Sequence, residues 1–156
     1  VTHVGIGSVI GPPESDGADA PRPILLTQNF FAKIGADLPT DPVAALRERV
    51  ERARKSAGLP AVVWDSALFG PSQALAEGIA AGKKAAAEAA YNQRLEQLPY
   101  QTVQHHEVLA PSFAALDGLA LWKERIAGKL GLGIAQVKGG ANEGSLVVIV
   151  TIGSAR

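Results

Sequence analysis

The sequence predicts an α+β fold in which a small antiparallel sheet is layered between helices, α-β-α. Three observations predict it. Two long segments in the first two thirds of the chain carry helix caps and helically spaced apolar residues. The chain closes on two Gly-punctuated, β-branched runs, "LGLGIAQV" (130–137) and "SLVVIVTIG" (145–153). With 156 residues, 47% of them hydrophobic, there is enough chain to bury a core.

Composition also excludes function classes. The 15 basic and 15 acidic residues cancel, so nothing suggests the basic face that nucleic acid requires. No apolar run approaches the ~20 residues of a membrane span, so no transmembrane segment is expected. Cysteine is absent, which removes disulfides and thiol chemistry and leaves secretion open. The start at Val1, in a chain without methionine, reads as a product of processing or as a piece of something longer.

Residues 2–10 read as a strand, 11–23 ("GPPESDGADAPRP") as a long loop, and 24–31 ("ILLTQNFF") as a returning strand. Residues 32–40 read as a linker. Asp41 and Pro42 then open a helix whose inner face is Val43, Leu46, Val50 and Ala53; Gly58 and Pro60 end it. The alternating charges of "RERVERARK" (47–55) read as its solvated face. Asp65 or Ser66 caps an Ala-rich helical stretch over 66–98, with a break near Gly78 or Gly82. Its alanines suit either a surface helix or close helix packing. Residues 100–110 read as a strand. Pro111 and Ser112 open a helix with Phe113, Leu116, Leu119, Ala120 and Ile126 inward, closed by Gly128 and Gly131. Strands at 131–138 and 145–152, joined by "GGANEG", finish the chain.

At "RERVERARKSAGLPAVVWDSALFGPSQALAEGIA" (47–80) the chain resembles the opening of the CAP superfamily: the cysteine-rich secretory, antigen 5 and pathogenesis-related proteins. It looks like a divergent bacterial, SCP-like member. Such members read as a helix ending in R-x-x-x-G-L-P-x-L-x-W-D, then a helix with A-x-x-H-A-E. Arg54, Gly58, Leu59, Pro60, Val63, Trp64 and Asp65 match, followed by Ala74, Ala76 and Glu77. "HEVLA" (106–110) resembles the family's G-E-N-I-A, and "ALDGLALWKERIAGKL" (115–130) its W-x-x-S-x-x-H helix. The last two runs resemble its closing strands. So does "THVGIGSVI…ILLTQNFF", which implies tandem CAP-like domains. Residues 1–38 would then be the closing hairpin of a preceding domain, and 39–156 a second domain. The other reading of the opening is that Gly-rich hairpins look alike.

The resemblance implies a cavity with two His and two acidic residues that bind a divalent metal in some members. Its His positions fall on Leu75 and Gly128, and its acidic positions on Glu107 and, loosely, Glu88. Leucine and glycine cannot ligate, so the site reads as dismantled and no cofactor is expected. His105, His106, Glu107 and Glu88 are the remaining metal candidates. Neighbours on a strand face opposite sides, so only His106, or the His105–Glu107 pair, can share a face. Leu75, Glu107 and Trp122 are the cleft candidates. Trp64 and Trp122 read as core residues, and His3 as structural or exposed. Ser66, Ser72 and Ser112 read as helix caps, and no G-x-S-x-G elbow or phosphate loop occurs.

The expectation is a non-catalytic, extracellular or periplasmic binding or structural domain. Its partners would be an apolar small ligand or a cell-envelope component, and a preceding domain or second chain through residues 1–38. Two alternatives stand beside it. One is a fragment of a tandem metal-dependent hydrolase whose active half lies elsewhere. The other is an assembly module that pairs through the opening hairpin.

Overall fold

Helix α1 (Pro42–Ser56) starts at the cap the sequence supplies. The Asp41 carboxylate accepts the Ala44 N–H at 2.9 Å, and Pro42 occupies a position whose N–H would have no partner in the helix. Gly58, at φ 67°, turns the chain away, and Leu59 N–H returns to the Arg54 carbonyl at 2.9 Å. Leu46 and Val50 are fully buried, with Val43 and Ala53 packed at the margin of the same core. The computed structural model describes residues 3–10, 24–31 and 38–154. The expected loop at 11–23 and most of the expected linker lie outside the described residues.

Two units divide the chain, Val1–Lys33 and Ile34–Arg156. In the first, β1 (His3–Ile10) pairs antiparallel with β2 (Ile24–Phe31), from His3↔Phe31 to Ile10↔Ile24. This is the expected hairpin ladder.

In the second unit, β3 (Val63–Trp64) leads into α2 (Ser66–Ala80), capped by Asp65. The Ala-rich stretch breaks at 81–83, where Gly82 takes φ 72°, and resumes as α3 (Lys84–Leu95). Most alanines of α3 face outward. Ala87 meets α2 so closely that a Cβ on Gly78 would lie 2.3 Å from its Cβ. The stretch is thus a surface helix with one close-packed seam.

After β4 (Thr102–Ala110), the expected α-helix is replaced by two 3-10 turns, Ala114–Gly118 and Ala120–Lys123. Leu119 between them is extended, at φ −66° and ψ 125°. Asp117 and Gly118 are poor helix formers, and the Leu116 carbonyl accepts the Trp122 indole N–H at 2.7 Å. An α-helix would have used that carbonyl within its own ladder. Phe113 and Leu116 are buried as expected, whereas Ala120 is exposed.

Strands β5 (Lys129–Gln136) and β6 (Leu146–Ser154) complete a four-stranded sheet in the order β3-β5-β6-β4. β3 runs parallel to β5, so the sheet is mixed rather than wholly antiparallel. The central strand β6 alternates between two cores. Leu146, Val148 and Val150 pack with α1, the 3-10 turns and Trp122; Val147 and Ile149 pack with α2 and α3. Helices therefore cover both faces, which is the α-β-α layering. The glycines of "LGLG" set one layer distance. A Cβ on Gly133 would lie 2.1 Å from the Ser72 carbonyl oxygen, and one on Gly131 2.4 Å from Leu68 Cβ.

Candidate functional site

Lys84, Glu88 and Tyr91 lie at i, i+4 and i+7 on α3, along the stripe that faces β4. The β4 residues on that side are His105 and Glu107, since they pair with Thr151 and Ile149 of β6. Lys84 Nζ is 2.6 Å from Glu107 Oε2 and 3.8 Å from Glu88 Oε1. The hydrogen bond to Glu107, with the charges of Glu107 and Glu88, holds the ammonium pKa above its ordinary value. His105 packs edge-on against the Tyr91 ring at 5.2 Å.

Three of the four metal candidates thus lie on one side of the sheet, and Lys84 stands between two of them, Glu88 and Glu107. His106 is on the opposite face, pairing with Val150, beside a recess of about 380 Å³ that Gln104, Glu124 and Arg125 also line. Among the described residues no group of three or more His, Asp and Glu is arranged to hold a metal ion.

The positions where the resemblance places imidazoles do not fit the metal it implies. Leu75 is wholly buried against Ala76, Tyr91, Val147 and Ile149. A Cβ on Gly128 would meet the Gly153 carbonyl oxygen at 2.7 Å. The three cleft candidates do not share a cleft. Trp122 is buried in the core on the α1 face, Leu75 in the core on the α2–α3 face, and Glu107 at the outer strand. The sheet stands between the two buried side chains.

Hydroxyl and carboxylate side chains build the rest of this face, some of them in roles other than the expected caps. Ser72 is not a cap but a buried residue within α2. Its hydroxyl donates to the Leu68 carbonyl at 2.7 Å and lies 2.7 Å from Thr151 Oγ1. Thr151 in turn is 2.8 Å from the Tyr91 hydroxyl. Burial outweighs that hydrogen bond and raises the Tyr91 pKa. At the sheet's end, Tyr100 donates to Asp65 Oδ2, which also lies 3.3 Å from Lys129 Nζ. The Tyr100 bond and the Ala67 N–H hold the Asp65 carboxyl below its ordinary range. Tyr100 is pushed up to about 12 by burial and by that carboxylate. Ser66 is the first helical residue rather than the cap, whereas Ser112 Oγ does accept the Ala115 N–H, at 3.3 Å.

A recess of about 600 Å³ lies between α2 and the end of β5. Ile134, Ala80, Ala81 and Ala135 give it an apolar lining, and Gln73, Glu77, Gln136 and Lys138 its polar part. The Gln73 amide donates to the Ile134 carbonyl at 3.0 Å and accepts its N–H at 2.9 Å. This face offers shape and fixed polar groups. No helix among the described residues is long and apolar enough to cross a membrane. Compared with protein-family models, curated proteins and solved structures, the chain matches none of them.

Proposed function

We propose that residues 39–156 form a non-catalytic CAP-like binding or structural domain, working outside the cytoplasm, whose ancestral metal site has become core and surface packing. The burial of Leu75, where the resemblance calls for a ligating imidazole, carries this reading. The Lys84–Glu107 contact supports it, because an ammonium already neutralises the carboxylate that a cation would need. Ligand holding belongs to the α2–β5 recess, whose volume lies within the range of small-molecule sites. An apolar small molecule or the acyl part of an envelope component suits its lining.

Equilibrium dialysis against zinc and calcium, together with a fluorescent fatty-acid probe, tests the proposal. The expected result is probe binding that Ala81→Trp abolishes by filling the recess, with no stoichiometric ion uptake. Stoichiometric uptake of either ion would overturn the loss of the metal site. Probe binding that ignores Ala81→Trp would remove the recess as its location.

A further inference from the structure

The sheet has two edges, and they are treated differently. On one side, β3 pairs with Lys129 and Leu130 of β5, and Asp65 N–H adds a bond to the Leu130 carbonyl at 2.9 Å. Further along, Gln73 answers both backbone groups of Ile134. A side-chain amide stands there where a neighbouring strand would. On the other side lies β4, nine residues long, and among the described residues no strand pairs with its outer edge. An uncovered edge of this length is a template for another strand.

Ladder parity identifies the free groups. Ile134 turns its N–H and C=O to Gln73, so the Ile134↔Val148 pair is a non-hydrogen-bonded one. Val148 therefore bonds toward β4, where it pairs with Val108. The alternate residues Val103, His105, Glu107 and Leu109 then direct their N–H and C=O outward. Leu109 is also a strongly exposed large apolar side chain, at 51%.

We propose that the occupant of this edge is β4 of a second copy, paired antiparallel about a two-fold axis at His106. Self-complementarity carries the inference. Only the register centred on His106 pairs the whole of Thr102–Ala110 with itself. That same register sets His105 opposite Glu107 and Val103 opposite Leu109, each twice. A centre at Glu107 would instead oppose two carboxylates, and a centre at His105 or Glu107 would leave residues of one strand end without a partner. Cross-strand partners of opposite polarity stabilise a ladder and like charges destabilise it. The two four-stranded sheets become one sheet of eight strands, through an isologous contact. A contact limited to one strand edge lies at the small end of protein interfaces, so the dimer is expected to be reversible and concentration-dependent.

The chain has no cysteine, which permits a test that reads the register. In a non-hydrogen-bonded antiparallel pair the Cα atoms are about 4.5 Å apart, within disulfide reach. Sedimentation velocity on the full chain is expected to show a concentration-dependent dimer. Leu109→Lys is expected to weaken it roughly tenfold or more, by setting a lysine against Val103 at both ends. His105→Glu is expected to do the same, and adding Glu107→His is expected to restore association. Under a glutathione redox buffer His106→Cys is expected to cross-link between copies, whereas Gln104→Cys, which faces Val108, is not. Monomers at all concentrations would overturn the proposal. So would a dimer in which His106→Cys fails to cross-link, which would assign association to another surface, the opening hairpin among them.

Discussion

Arg54 sits in the charge run "RERVERARK", yet only 2% of it is exposed. Its Nε donates to the Pro60 carbonyl at 2.9 Å, and one terminal nitrogen donates to the carbonyls of Trp122 at 3.3 Å and Glu124 at 2.8 Å. One guanidinium thereby joins α1, the loop before β3 and the chain after the second 3-10 turn. Its neighbours also pack rather than merely solvate. Arg47 lies 5.2 Å over the Trp64 ring, and Arg49 4.5 Å over Phe113. Charge alternation revealed an outward face because it reports sign and spacing; it carries no information on which arginines lie against carbonyls or rings. Arg54→Met should keep the aliphatic packing and leave three carbonyls without their charged donor. The expected loss is about 3 kcal/mol of unfolding free energy in urea titration. Arg54→Lys should recover only part of it, since an ammonium lacks the fork that reaches separate acceptors. A loss below the noise of the titration would mean that water replaces the guanidinium at no cost.

Among elements, those with local signals were legible and those decided by tertiary contacts were not. Asp41, Pro42 and Gly58 bound α1 as expected, Gly82 breaks the Ala-rich stretch, and the two closing strands fall within two residues of their expected limits. The segment after Pro111 departs from expectation because Trp122 takes the Leu116 carbonyl, a partner no local pattern encodes. The parallel pairing of β3 was hidden for the same reason, since two residues give no periodicity. At the candidate site the opposition of His106 to His105 and Glu107 was legible from strand alternation alone. The lysine between Glu88 and Glu107 was not, because it depends on how α3 docks on β4. Gly133 shows how one residue can govern an element. Its hydrogen faces the Ser72 backbone, and a methyl group there would overlap the carbonyl oxygen. Gly133→Ala should push α2 off the sheet and cost about 3 kcal/mol in denaturant unfolding. Gly139→Ala is the control for space, with nothing within 4 Å of the added Cβ, although its φ of 96° carries its own strain. A loss at Gly133 no larger than the strain cost at Gly139 would mean that the close approach of Ser72 does not constrain this position.

At the scale of the whole unit, two tyrosines tie its layers together, and they are the only two in the chain. Tyr91 reaches from α3 through Thr151 of β6 to Ser72 of α2. Tyr100 covers Gly153 of β6 and donates to the capping carboxylate of α2. Folding raises the pKa of both. A group whose pKa is raised on folding contributes stability that is complete below its unfolded value, near 10, and lost as pH climbs through the folded value. The loss should therefore begin near pH 10 and extend toward about 12 for Tyr100. Neither ring can ionise in place without a buried anion or a carboxylate beside a phenolate, so ionisation and opening of the helical layer should be one event. Absorbance at 295 nm and far-ultraviolet circular dichroism, followed together from pH 8 upward, should rise and fall in a single coincident transition above the pH at which free tyrosine is half ionised. Tyr100→Phe should move that transition to lower pH, because Asp65 loses the donor that makes its charge useful at the α2 cap. A separate tyrosinate step preceding the loss of helix would show that at least one ring titrates within the folded domain, and that the layers are held together without it.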